Sequence, residues 1–333
     1  MERSPAESPP AVAQATPAAV RPAGPRPDRT PAPPRPRQAA LTVAALRLAG
    51  RLSLAGLQRL GGALGRVLSV LPTRPRRNTL EGLRLALPEL SERERRRLAR
   101  RSLVEDARML FEHAAFWTWE PERALALVRV VEGEELMASA LAKGRGVILA
   151  GLHLGHIEAL NAHCAARYGL VGHYRAPRMA ELDAFFRQAR ERFGARLLPT
   201  GTASVRQLVQ GLREGRLLGI ACDQDPGEGQ GVFVPYFGVA TNTTTLIGRL
   251  ASRTGAEVVL GWAERLPGAA GFGVHFVPAP PEVTGDDLAA SAAALNGAVE
   301  ACVRRRPEQA LWSYRRFRIR PPEPSSPLGE GAA

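Results

Sequence analysis

The stretch GVILAGLHLGHIEALNAH, residues 146–163, decides how the chain is read. GVILAGLH (146–153) is a short apolar run that fits a buried strand, and IEALNAHCAARYG behind it carries a helical pattern. The same stretch holds His153, His156, His163 and Glu158, although the whole sequence has only six histidines. At the C-terminal end of a strand in an open α/β sheet, side chains face the crevice where ligands bind. His153 sits there, and Glu158 follows in the first turn of the expected helix, able to point back toward it.

Downstream the alternation continues. VGHYRAP is followed by helical LDAFFRQARERFG, short RLLPT, helical SVRQLVQGLREG and the strand RLLGIACDQ. Helical TLIGRLASRTG precedes EVVLGWAERL and GFGVHFVPA, two strands joined by PGAAG that read as an antiparallel hairpin. A last helix, DLAASAAALNGAVEACVRRRP, ends before LWSYRRFRIRP. Strands alternating with helices predict an α/β fold with a central, largely parallel sheet and flanking helices. No internal repeat, Walker loop or GxGxxG is present, and strands are expected only from residue 146 onward.

Upstream, residues 1–38 hold 11 of the 28 prolines among Ala and Arg, so a disordered basic tail is expected, with a second short tail at 322–333. Residues 39–72 form an amphipathic helical segment, with Arg47, Arg51, Arg59 and Arg66 on one arc and most leucines opposite. No run there reaches the ~18 apolar residues a spanning helix needs. The segment either lies in the plane of a membrane surface or packs on the domain. Its five glycines weaken the second reading. The folded domain is expected over 73–321, beginning with a helical region to about 127 in which Ser91 marks a start. Phe111, Phe116, Trp117 and Trp119 make the densest aromatic cluster, by default core.

Composition narrows the partners. There are 45 Lys+Arg against 32 Asp+Glu, a net +13, and Lys143 is the only lysine. Anionic partners follow: phospholipid, phosphorylated glycolipid, an acidic carrier protein or nucleic acid. The absence of RNA-binding signatures argues against the last. Cys164, Cys222 and Cys302 make no disulfide framework and no paired zinc spacing, and no secretory h-region is visible in the first 40 residues.

An imidazole held by a carboxylate is the base half of a catalytic triad, and free N–H groups at a helix start can meet a developing oxyanion. No GxSxG and no adjacent cysteine supplies a nucleophile, so the attacking hydroxyl belongs to the substrate. The competing reading is a metal site on the three histidines, but HxxH across a strand-to-helix turn matches no usual zinc spacing. No metal and no cofactor are therefore expected.

HLGHIE, with His153 and Glu158, is the H-x4-D/E signature of glycerolipid acyltransferases. Together with HYRAP (173–177), GLREGRLLGIACDQD (211–225), GVFVPYFGVATNTTT (231–245) and RPEQALWSYRRFRIRP (306–321), it resembles the late acyltransferases of lipid A biosynthesis, the lauroyl/myristoyl type. The resemblance spans roughly residues 50–321. It implies transfer of a fatty acyl group from acyl-acyl carrier protein to a hydroxyl of an anionic lipid A precursor, at the cytoplasmic face of the inner membrane. His153 would be the general base and Glu158 its orienting partner. Arg175, Arg190 and Arg192 match arginine positions that would bind phosphate, with the choice between the last two open, as bidentate guanidinium allows. Asp223 and Gln224 would bind acceptor or support the site, and Arg315 and Arg316 would meet phosphate or pair with a core carboxylate beside it. Tyr236 and Phe237 would line an acyl channel or pack in the core. The four arginines of 39–72 favour peripheral or monotopic attachment over a span. Family relatives that acylate other lipids, such as phosphatidylinositol mannosides, leave the acceptor open. A metal-dependent hydrolase and a non-catalytic lipid-binding protein are the readings from other classes.

Overall fold

A computed structural model describes residues 36–177 and 179–321; the expected tails fall outside it except for 36–38, which open the first helix. The expected amphipathic segment is two helices, α1 (Pro36–Ala49) and α2 (Leu54–Val70), broken at residues 50–53. A side chain at Gly50 would overlap the Thr118 hydroxyl, and Ser53 then caps α2 through the Gly56 N–H. α3 (Arg74–Ala86) leads to α4 (Glu92–Thr118), where Ser91 and Glu94 form a reciprocal capping box. α2 packs tightly along α4. A Cβ at Gly61 would lie 2.6 Å from the Arg108 Cα, and one at Gly65 2.5 Å from the Val104 Cα. The glycines that argued against a packed helix are what permits it. No helix among the described residues is long and apolar enough to cross a membrane.

After α5 (Pro121–Leu125) the chain forms β1 (Val128–Glu132), α6 (Glu134–Ala142), β2 (Val147–Gly155), α7 (Ile157–Tyr168) and β3 (Val171–Tyr174). Then come α8 (Asp183–Glu191), β4 (Arg196–Pro199), α9 (Thr202–Arg213) and β5 (Leu217–Ala221). A hairpin of β6 (Gly231–Tyr236) and β7 (Val239–Thr244) precedes α10 (Leu246–Thr254), β8 (Glu257–Arg265), β9 (Phe272–Pro278) and α11 (Leu288–Arg305). The seven-stranded sheet runs β1-β9-β8-β2-β5-β3-β4, parallel throughout except for the β8–β9 hairpin. The α/β fold class and that hairpin are as the sequence led us to expect.

Two strand regions were not expected. β1 is a half-exposed edge strand whose charged pattern, VRVVE, lacks the apolar run that marks a buried one. The VPYFG segment is the β6–β7 turn, with Phe237 at φ +49° and Gly238 at φ +72°. Two positive φ values suit the twist of a two-residue hairpin. Phe237 tolerates this because its N–H donates to Glu300 at 2.6 Å and its ring packs on Tyr236 and Trp312.

Alternation along β2 sorts the core. Ile148, Ala150, Leu152 and Leu154 face one buried cluster with α10 and α11; Val147 and Leu149 face the other, with α4 and α7. Both faces are covered, so the strand reads as a continuous apolar run. The chain leaves β2 toward β3 on one side and leaves β5 toward β8 on the other. The β2/β5 junction is therefore the switch point where such sheets open a crevice.

Candidate active site

His153 and Asp223 meet at that junction. Leu149 pairs with Gly219 and Gly151 with Ala221, so β2 and β5 run in register and deliver both residues just past the paired region. The His153 N–H donates to Asp223 Oδ2 at 2.6 Å, and its ring Nδ1 lies 2.8 Å from Asp223 Oδ1. A carboxylate can only accept, so Nδ1 carries the proton and Nε2 presents a lone pair. The Gln224 amide nitrogen lies 3.4 Å from that Nε2. Burial works against a charge on His153, but the Asp223 carboxylate outweighs it and lifts the imidazole above its usual 6.5. Burial likewise opposes the Asp223 charge, and His153 overcomes it, holding that carboxyl below its usual range.

The carboxylate that orients His153 is thus Asp223, and the expectation for Glu158 needs correcting. The backbone turn is as expected. Gly155, at φ +72°, has no room for a side chain beside the Ala263 carbonyl; His156 caps α7, and Glu158 lies in its first turn. Its side chain, however, turns to Arg190, whose Nε and Nη2 reach its oxygens at 3.0 and 2.5 Å. Burial would raise the Glu158 pKa, yet the Arg190 guanidinium brings it down to about 2. This pair also settles which of the two arginines faces the crevice. Arg192, two residues on, caps the far side of α8 and donates to the Phe116 carbonyl at 2.7 Å.

The three histidines of the opening stretch do not converge. His156 is fully buried, its ring packed at a tilt against His113, Phe116 and Phe272, and His163 lies by Tyr168 and Phe276. A hydrolase built on these three rings loses its ligand set. Cys222, next to Asp223, is also no nucleophile, because burial pushes its thiol well above the usual range.

Two cavities open at His153. One, of about 230 Å³, runs under α7 and α8, lined by Leu149, Ile157, Leu170, Phe193, Leu197 and Ile220, with Glu158, Arg175 and Arg190 at its polar part. It exists because Gly151, Gly172 and Gly219 sit on three adjacent strands, where larger residues would fill the layer; Gly172 and Gly219 are register partners. The other, of about 40 Å³, is lined by His153, Asp223, Gln224, Tyr236, Trp312 and Arg316, among others. Tyr236 therefore borders the smaller space and Phe237 lines neither; both are buried in the core, one of the two readings the sequence left open. Arg316 is buried and serves the hairpin, donating to the Asn242 carbonyl at 2.6 Å and to the Thr243 hydroxyl at 3.0 Å. Asp225 ties the same region, accepting from Gly227 N–H and the Asn242 amide, both at 2.8 Å.

The sequence reading missed Tyr314 and Trp312 as neighbours of the site. The RPEQ-ALW-SY segment returns across the sheet, with a bridge between Leu154 and Ala310 and with Gln309 clamping the Arg265 backbone at 2.7 and 3.0 Å. Its lack of periodicity gave no spatial signal.

Residues 31–319 match the family described as bacterial lipid A biosynthesis acyltransferase. The chain is 30% identical to the lipid A biosynthesis lauroyltransferase of Escherichia coli (strain K12) over 84% of its own length and 91% of the relative's. It is 28% identical to the lipid A biosynthesis palmitoleoyltransferase of the same strain, over 74% and 79%. To a lipid A biosynthesis acyltransferase of Haemophilus influenzae it is 27% identical, over 82% and 87%. The chain belongs to the bacterial lipid A biosynthesis acyltransferase family and is an acyltransferase.

Proposed function

We propose that the protein transfers a fatty acyl group from acyl-acyl carrier protein to a hydroxyl of a lipid A precursor, working at the cytoplasmic face of the inner membrane. His153 is the general base. Its Nε2 takes the proton from the acceptor hydroxyl as that oxygen attacks the thioester carbonyl. The oxyanion forms beside the first turn of α7, whose N–H groups precede the first intrahelical bonds. Collapse breaks the C–S bond, and His153 returns the proton to the departing thiolate. Asp223 holds the imidazole in the tautomer this requires and stabilises its charged form.

Glu158 positions Arg190, which with Arg175 meets phosphate or the polarised carbonyl; Gln224 contacts the acceptor. The donor chain occupies the glycine-floored cavity, which at about 230 Å³ takes part of a chain, being below the roughly 300 Å³ of ordinary ligand pockets. An acidic carrier docks on the arginine-rich rim that accounts for part of the +13 charge.

The single observation that carries this reading is a carboxylate-held imidazole at the mouth of an apolar cavity, with no enzyme nucleophile beside it among the described residues. The test is transfer by purified protein in detergent, from acyl-acyl carrier protein to a lipid A precursor or to a phosphatidylinositol mannoside. We expect acylated lipid A precursor with wild type and none with His153→Ala, with or without chelator. Transfer to the mannoside only would keep the mechanism and replace the acceptor. Activity that survives His153→Ala would overturn the mechanism.

A further inference from the structure

α8 separates two basic spaces. Arg190 faces the crevice, while Arg192, about 200° around the helix, borders a second cavity of about 660 Å³ on the far side. Arg47, Arg51 and Arg123 line it with Arg192, as do Trp117, Trp119 and Phe185. Glu120 is the one carboxylate among its lining residues, and among the described residues no ion pair engages Arg47, Arg51 or Arg123. Four guanidinium groups share this opening with one carboxylate, an excess of positive charge that favours an anion between them.

The cavity is rigid where it matters. The Trp119 indole N–H donates to the Gly50 carbonyl at 2.6 Å, fixing the α1–α2 turn that carries Arg51 against the end of α4. The Arg123 guanidinium lies 3.7 Å over the Trp119 ring, which leaves its edge N–H groups free for an acceptor. At Arg47 and Arg51 the cavity joins a groove of about 600 Å³ along α1, lined by Ala39, Val43, Ala44 and Leu48, with the Glu181 side chain also on its wall. Leu41 and Leu48 beside it are 70% and 63% exposed. An arginine pocket that continues into an apolar groove suits a molecule with an anionic head and a hydrocarbon tail.

We propose that this cavity binds the phosphate-bearing headgroup of an anionic lipid, at a site separate from the His153 crevice, with the lipid chain along α1. The site seats the protein on a phospholipid or phosphoglycolipid surface through bidentate guanidinium–phosphate contacts, in addition to any general attraction of its net charge. It does not depend on the transferase reading, since neither His153 nor Asp223 takes part.

The test is co-sedimentation of the full chain with phosphatidylcholine vesicles, alone, with phosphatidic acid, or with phosphatidylserine matched for surface charge. Wild type should prefer phosphatidic acid, with inorganic pyrophosphate competing. Arg47→Gln with Arg51→Gln should weaken that binding roughly 25-fold, at about fivefold for each arginine near the surface. Arg123→Gln alone should weaken it several-fold. Arg213→Gln with Arg253→Gln, which removes equal charge from exposed positions on α9 and α10, should change it less than about twofold. His153→Ala should bind as wild type does; wild-type binding to vesicles without transfer to any acceptor would sink the catalytic reading and leave this site standing. Equal losses in the two double variants, or no preference between the two anionic lipids, would reduce the cavity to diffuse charge and overturn the proposal. Arginine substitutions that weaken binding to an acidic carrier protein and spare the vesicles would overturn it in favour of a protein partner.

Discussion

His153 can accept a proton only at Nε2, because its Nδ1 is committed to Asp223. The second buried carboxylate of the crevice, Glu158, has a different duty. It neutralises Arg190 where water cannot, and neither member of the pair is easily removed alone. Arg190→Ala leaves a buried carboxylate unpaired and should cost about 3–5 kcal/mol in denaturant unfolding, whereas the double change Arg190→Leu with Glu158→Leu should restore much of it. The pH dependence has a definite sign. The folded Glu158 pKa of about 2 lies below the ordinary carboxylate value, so the pair contributes stability that is present above roughly pH 5 and lost as pH falls toward 2. Acid unfolding of the Arg190→Ala protein should lack that component; an unchanged acid profile would contradict the assignment.

α2 is the element on which the N-terminal region turns. Its Leu54 and Leu57 are buried against α4, while Leu60, Leu64, Val67 and Val70 on its outer face remain exposed. Gly61→Ala or Gly65→Ala puts a methyl group against the α4 backbone, which cannot yield as a side chain would. We expect each to lower stability by about 1–3 kcal/mol or to shift α2 off the domain, measurable by denaturant midpoint and by protease sensitivity near residue 50. A buried network adds to this docking. Arg265, at the end of β8, donates to Glu112 at 2.6 and 2.5 Å and to Glu105 at 2.6 Å, and Gln58 of α2 reaches Glu112 at 2.8 Å. Glu112→Ala should cost about 3–5 kcal/mol in the same measurement, because it removes two of the three bonds to the buried Arg265 guanidinium, leaving Glu105 alone, and the partner of the Gln58 amide. None of this was legible in the sequence. Gly61 and Gly65 are ambiguous between weak helix and close packing until the facing helix is known, and Glu112 and Arg265 are 153 residues apart. What could be read locally was read correctly, such as the Ser91 start of α4 and the strand-to-helix turn at 153–158. Elements whose identity depends on a neighbour, the edge strand β1 and the β6–β7 hairpin, were missed.

For the whole molecule, the sheet order brings the C-terminal ends of β2 and β5 together, and with them His153 and Asp223, 70 residues apart. The spacing of HLGHIE points to the crevice but not to its wiring. Glu158 is close in sequence and Asp223 is close in space, and only the second holds the imidazole. The cavity beneath α7 and α8 is equally a property of assembly, since its floor is three glycines from three strands. A Cβ at Gly219 would lie 2.9 Å from Leu170 Cδ1, and one at Gly172 2.9 Å from Leu197 Cδ2, so each substitution narrows the space at little backbone cost. Gly219→Val should therefore shift the preferred acyl donor to a shorter chain in a competition among acyl-acyl carrier proteins. An unchanged chain preference would place the acyl group elsewhere.

The most direct test of the central claim, a base at His153 held by Asp223, is the pH dependence of kcat/KM for wild type, Asp223→Asn and Glu158→Gln. Wild type should lose activity on the acid side with a limb above pH 6.5, because the carboxylate raises the imidazole pKa and only the neutral ring accepts a proton. Asp223→Asn removes that carboxylate, so the limb should move to lower pH while the rate falls roughly 10³- to 10⁴-fold. Glu158→Gln should move the limb less. A limb that stays in place in Asp223→Asn and moves in Glu158→Gln would contradict the account and return the orienting role to Glu158.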